Sequence, residues 1–87
     1  MLCTQNSVMQ LTDEDAVVVA KAYFSPAVLP NLSVTKVRQA CLIEDIAFSK
    51  KLKLSDLLVV FGRSLVKNKR VKLGKRHHLT REDIQLQ

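Results

Sequence analysis

The chain is poor in the residues that punctuate and staple small proteins. Its 87 residues include two glycines, two prolines, two cysteines, one tyrosine, three phenylalanines and no tryptophan. Cys3 and Cys41 are far apart and outside any CxxC or Cys/His spacing, which excludes a disulfide framework and gives no metal signature. Both read as reduced thiols, and Cys41, inside an apolar helical pattern, reads as a small core residue. No apolar run approaches the roughly 20 residues that span a bilayer. The opening MLCTQNSVMQ lacks the cationic and apolar regions of a secretory signal. The expectation is a protein without a membrane role, cytoplasmic, or nuclear in a eukaryote.

Acidic residues are scarce in the last third. Residues 1–49 carry three basic and five acidic side chains, net −2; residues 50–81 carry eleven basic and one acidic, net +10; Glu82 and Asp83 return −2. Charge so concentrated is the footprint of a surface that meets phosphates or an acidic protein. The same stretch, from Lys67 to Arg81, has no Phe, Tyr or Trp. It therefore lacks a platform for stacking unpaired bases, and duplex DNA or structured RNA fits better than single strands.

Ser55 to Val66, SDLLVVFGRSLV, is the apolar segment on which the rest is organised. Ser55 suits an N-cap and Asp56 the positive end of a helix dipole, so a helix is expected from Ser55 to about Asn68. Leu58, Phe61, Leu65 and Leu57, Gly62, Val66 form two adjoining apolar stripes at helical spacing. Val59, Val60 and Gly62 lower helix propensity, so a buried strand is the competing reading. Gly62 marks a close backbone approach on this pattern.

Upstream, residues 1–11 read as a flexible arm. Thr12, with Asp15 three residues on, opens a helix from Asp13 to about Phe24. Ser25-Pro26 ends it, and Ser25 to Leu32 is a connecting loop with an apolar underside from Val28 and Leu29. Ser33 is the next N-cap, and the pattern Val37, Ala40, Cys41, Ile43, Ile46, Ala47 predicts a long amphipathic helix from Val34 to about Lys51. Lys50, Lys51 and Lys53 would complement its C-terminal dipole, with Leu52 to Leu54 as a short turn. Downstream, Arg70 to Leu73 and Asp83 to Gln87 each alternate polar and apolar residues, which suggests a hairpin closing the basic loop Gly74 to Arg81. The alternative is a short helix capped by Thr80.

The expected fold is one mainly α domain over 1–87, a helical core at 12–66 followed by a basic hairpin or extension at 67–87. Helix, loop, helix, short turn, helix, hairpin resembles the order of elements in a winged helix-turn-helix domain. That resemblance makes Val34 to Lys51 and the Ser55 helix the two-helix unit, and Lys72 to Arg81 the wing. A recognition helix needs several polar side chains facing the major groove. Leu57 to Phe61 leave only Ser55, Asp56, Arg63, Ser64, Lys67 and Asn68 for that task.

Catalysis finds little support. His77 and His78 diverge on either a strand or a helix and form no metal pair. Glu44-Asp45 and Glu82-Asp83 are adjacent in sequence and do not converge on one atom, and no nucleotide-binding, hydrolase or metalloprotease motif occurs. The reading is a non-enzyme with no cofactor and no metal. The residues expected to contact nucleic acid are Arg63, Lys67, Lys69, Arg70, Lys72, Lys75, Arg76 and Arg81, acting on phosphates in a small, dimeric DNA-binding transcriptional regulator. The alternative is a protein-interaction module, a small subunit or adaptor, that docks an acidic partner and uses Val17, Val18, Val59 and Val60 as an interface.

Overall fold

The computed structural model describes residues 11–74 and 78–87. Their regular structure is three α-helices and a two-stranded antiparallel hairpin, α1 (Asp13–Tyr23), α2 (Val34–Ile43), α3 (Leu54–Lys67), β1 (Val71–Leu73) and β2 (Ile84–Leu86), with single 3-10 turns at Leu29–Asn31 and Arg81–Asp83. Val71 pairs with Leu86, Lys72 with Gln85 and Leu73 with Ile84. The expected arm lies outside the described residues except for Leu11, which is half-buried and packs against the core.

Local chemistry sets two helix starts as the sequence predicts. The Thr12 hydroxyl accepts from the Asp15 N–H at 3.1 Å, with Asp13, Glu14 and Asp15 in the positive first turn of α1. Ser33 does the same for the Lys36 N–H at 3.4 Å. The Ser55 segment is a helix, but Ser55 is not its cap. α3 starts one residue earlier, on an extended Lys53 whose side chain makes no cap bond. The earlier start brings half-buried Leu54 onto the stripe of Leu57, Leu58 and Phe61 that packs into the core.

The long second helix is where periodicity misleads. α2 ends at Ile43, not Lys51, because Asp45 takes a left-handed conformation (φ 59°). The Asp45 N–H donates to the Leu42 carbonyl at 3.2 Å and the Ile46 N–H to the Cys41 carbonyl at 2.8 Å, a Schellman closure. It turns Ile46 back into the core beside Cys41. Ile46 thus satisfies the apolar spacing from outside the helix, while Leu42 and Ile43 stay 71% and 74% exposed and Ala47 is exposed. Residues 44–53 form an irregular connection. Lys50, Lys51 and Lys53 therefore lie beyond the end of α2, and the expected turn at Leu52 to Leu54 is only the last part of this longer segment.

The core is the crossing of α1 and α3, with α2 packed on α3. Phe61, Leu57, Leu65, Val19, Val37 and Cys41 are fully buried. Each large apolar side chain removed from water contributes about 1.5–3 kcal/mol. Tyr23, Phe24 and Phe61 cluster with ring centroids 5.1–5.9 Å apart, Tyr23 edge-on to both phenylalanines. Gly62 sits at the helix crossing against the backbone of Ala16. Val17, Val18, Val59 and Val60 are half-buried, and the first two pack on the core.

The C-terminal segment combines the two readings of its sequence. The Thr80 N–H and hydroxyl both donate to Asp83 Oδ2, at 3.1 and 3.0 Å. This fastens a single 3-10 turn, Arg81–Asp83, that leads into β2.

Candidate nucleic-acid interface

The end of α3 brings three lysines to the surface by turning the chain sharply. Lys69 adopts φ 61°, its N–H donates to the Val66 carbonyl at 3.0 Å, and the Arg70 N–H donates to the Leu65 carbonyl at 2.9 Å. This second Schellman closure sends the chain directly into β1. Lys67 and Lys69 are left exposed around the turn, and Lys72 projects from the outer side of β1, opposite buried Val71. No hydrogen bond or ion pair among the described residues engages these three ammonium groups. A groove of about 370 Å³ runs beside them, lined by Val66, Lys69, Val71, Lys72, Leu73 and Gln87.

The arginines serve the fold. Arg63 donates to Asp13 Oδ1 and to the Leu11 carbonyl, both at 2.8 Å, and so ties α3 to the start of α1. Its side chain is still 49% exposed. Arg70 donates through Nε to Glu44 Oε1 at 2.8 Å and through a second nitrogen to the Gln87 carbonyl. Arg81 donates to the Lys21 and Phe24 carbonyls at 2.9 and 2.7 Å. There it caps the C-terminus of α1, as the second donor to the Lys21 carbonyl, which also accepts the Phe24 N–H at 3.1 Å, and a cation also suits the helix dipole. The fork of a guanidinium suits such two-acceptor sites better than an ammonium does.

Of the eight cations expected at the interface, Lys67, Lys69 and Lys72 are thus exposed and unpaired, and Arg63, Arg70 and Arg81 have intramolecular partners. Lys75 and Arg76 lie outside the described residues, as does His77. Exposed Lys50, Lys51 and Lys53 add a second basic run on the connection before α3. The signal for it was the KKLK run itself, which helical periodicity had absorbed into α2.

Glu44 is the hub of a polar network. It accepts from Arg70 and, through Oε2, from the Tyr23 hydroxyl at 3.0 Å, joining α1, the end of α2 and the approach to β1. Burial, then the hydrogen bond and charge of Glu44, push the Tyr23 hydroxyl above its ordinary pKa, with nearby Arg70 opposing. Burial alone pushes the Cys41 thiol up. His78 is exposed and lines a groove with Thr12, Asp13, Glu14 and Asp15, so the end of the basic loop meets the acidic turn of α1. Among the described residues no three His, Cys, Asp or Glu side chains gather as a metal set, and no helix is long and apolar enough to cross a membrane. On the outer side of α3, Ser55, Asp56, Arg63, Lys67 and Asn68 are exposed around half-buried Val59 and Val60.

Comparison with protein-family models, with curated proteins and with solved structures finds no match to this chain.

Proposed function

We propose that this protein is a small DNA-binding regulator, non-enzymatic and acting as a homodimer, that contacts the phosphates of a duplex through the turn between α3 and β1. The observation that carries this reading is the group Lys67, Lys69 and Lys72, three exposed ammonium groups within six residues and without a hydrogen-bond or ion-pair partner among the described residues. Lys75 and Arg76 follow directly in sequence. The order of three helices and a hairpin supports a winged arrangement in which this turn and the hairpin lie along the backbone. Val59 and Val60 leave few polar groups on the outer side of α3 for reading base edges, so phosphate contact, not sequence readout, carries the affinity. Action in the cytoplasm, or in a nucleus, belongs to the same proposal.

The test is a salt titration of duplex binding by fluorescence anisotropy. Log affinity should fall linearly with log salt, and each Lys→Ala change at positions 67, 69 and 72 should reduce the slope by about 0.9. An affinity that hardly responds to ionic strength overturns the proposal.

A second reading, a protein-interaction module with an acidic partner, draws support from Leu42 and Ile43, adjacent large apolar side chains left 71% and 74% exposed.

A further inference from the structure

Hydrogen bonding in the hairpin fixes which way the β1 backbone faces. The Gln87 N–H donates to the Arg70 carbonyl at 2.9 Å, so positions 70 and 87 form a hydrogen-bonded pair. Antiparallel ladders alternate, and the next such pair is Lys72 with Gln85. Val71 and Leu73 fall between, and their N–H and C=O groups point away from β2. No hydrogen bond among the described residues reaches those groups. Among the described residues β1 thus has no strand neighbour on that side, an edge of the kind that templates another strand.

The surroundings of that edge are chemically selective. The groove beside it is floored by Val66, Val71 and Leu73 and bordered by the ammonium groups of Lys69 and Lys72. A bare apolar edge would invite any strand, including a second copy of this one. Here a second β1 would bring two lysine pairs together, and residues 1–10 contain no acidic side chain to complement them. The charge favours a foreign strand carrying carboxylates.

We infer that the β1 edge and its groove take an extended segment of a partner protein, alternating aliphatic and acidic residues, by strand addition. Its backbone pairs with Val71 and Leu73, its aliphatic side chains enter the groove, and its carboxylates meet Lys69 and Lys72. The inference rests on the interaction-module reading and specifies its site. It uses two of the lysines assigned to phosphate, so peptide and duplex would compete.

The probe is a fluorescein-labelled peptide alternating Glu and Val, with a control of equal charge in which every second Val is Pro. Anisotropy measures affinity, and amide hydrogen exchange followed by NMR reads the edge directly. The expected result is saturable binding of the Glu/Val peptide, with the Val71 and Leu73 amides slowed about tenfold or more. Lys69→Glu with Lys72→Glu should weaken binding about tenfold or more. Leu73→Pro, which removes an outward N–H and leaves the ladder intact, should do likewise. If that variant does not fold, the lysine pair and the exchange data still decide. Equal affinity for the Pro-interrupted peptide, or binding without protection of Val71 and Leu73, overturns strand addition while leaving an acidic partner in place. No binding of either peptide overturns the inference together with the reading beneath it.

Discussion

Gly62 lies against Ala16 so closely that a Cβ built on the glycine would stand 1.8 Å from the Ala16 carbonyl oxygen. The obstruction is backbone of the neighbouring helix, which cannot swing aside as a side chain would. Gly62→Ala in a solvent-facing helix would add about 1 kcal/mol of stability through propensity. Here the sign reverses. The variant should lose about 3 kcal/mol or more, or fail to fold, because α1 and α3 must separate at the centre of the core. Urea unfolding followed by far-UV circular dichroism checks this, and a stabilised variant would contradict the crossing.

Asp45 and Lys69 each hold left-handed backbone without being glycine. That conformation costs an ordinary residue roughly 1–2 kcal/mol, against about 0.5–1 kcal/mol for the extra unfolded freedom of glycine. Lys69→Gly should therefore raise stability by about 0.5–1 kcal/mol, and Lys69→Val should lower it, since β-branching suits the left-handed region least. At position 45 the gain from glycine should be smaller, because Asp tolerates the left-handed region better than Lys does. Shifts in the urea midpoint at constant m-value are the readout.

Tyr23 is the only tyrosine, so ionisation measured by absorbance at 295 nm reports it alone. Its hydroxyl should titrate above 10, and Glu44→Gln should bring the midpoint down, though not to the free value, because burial remains. A native pKa raised above the unfolded one means that the folded state holds the proton more tightly. The resulting stability is fully present below about pH 10 and lost as pH rises through the native pKa. Stability should accordingly fall on the alkaline side, and Tyr23→Phe should remove that part of the pH dependence.

Arg81 and the exposed lysines should separate cleanly on mutation. Arg81→Ala removes the side-chain donor to the Phe24 carbonyl and one of two donors to the Lys21 carbonyl, at an exposed site, and should cost about 1 kcal/mol. Lys67→Ala and Lys72→Ala should stay within about 0.5 kcal/mol of the parent, as changes at exposed unpaired positions do. Equal effects on stability from all three would contradict the assignment of Arg81 to the helix end. Thermal unfolding resolves the difference.

Cys41 is fully buried, and its thiol is held protonated by that burial. In a Cys3→Ser background, an aromatic disulfide reagent should react with native protein slowly, at a rate that follows opening of the fold, and at once in denaturant. Rapid reaction of the native state would contradict the packing of α2 on α3.

The sequence by itself determined what depends on neighbours a few residues away and on totals. Thr12 and Ser33 find their N–H partners three residues on. The SDLLVVFGRSLV stripe is core whether it forms a helix or a strand, the alternation around Val71 and Ile84 suits a hairpin, and the charge imbalance is fixed by composition; that the stripe is helical and that the C-terminal segment pairs as strands was settled by packing. The close approach at Gly62 was legible as a gap in a stripe, though not its partner. Tertiary structure alone decided where α2 ends, because Ile46 meets the same apolar spacing whether the helix continues or reverses at Asp45. It also decided which cations are free. Arg63, Arg70 and Arg81 read like the lysines around them, yet their acceptors lie 17 to 60 residues away in the chain. A guanidinium finds a carbonyl or carboxylate at such range only once folding has brought the helices together.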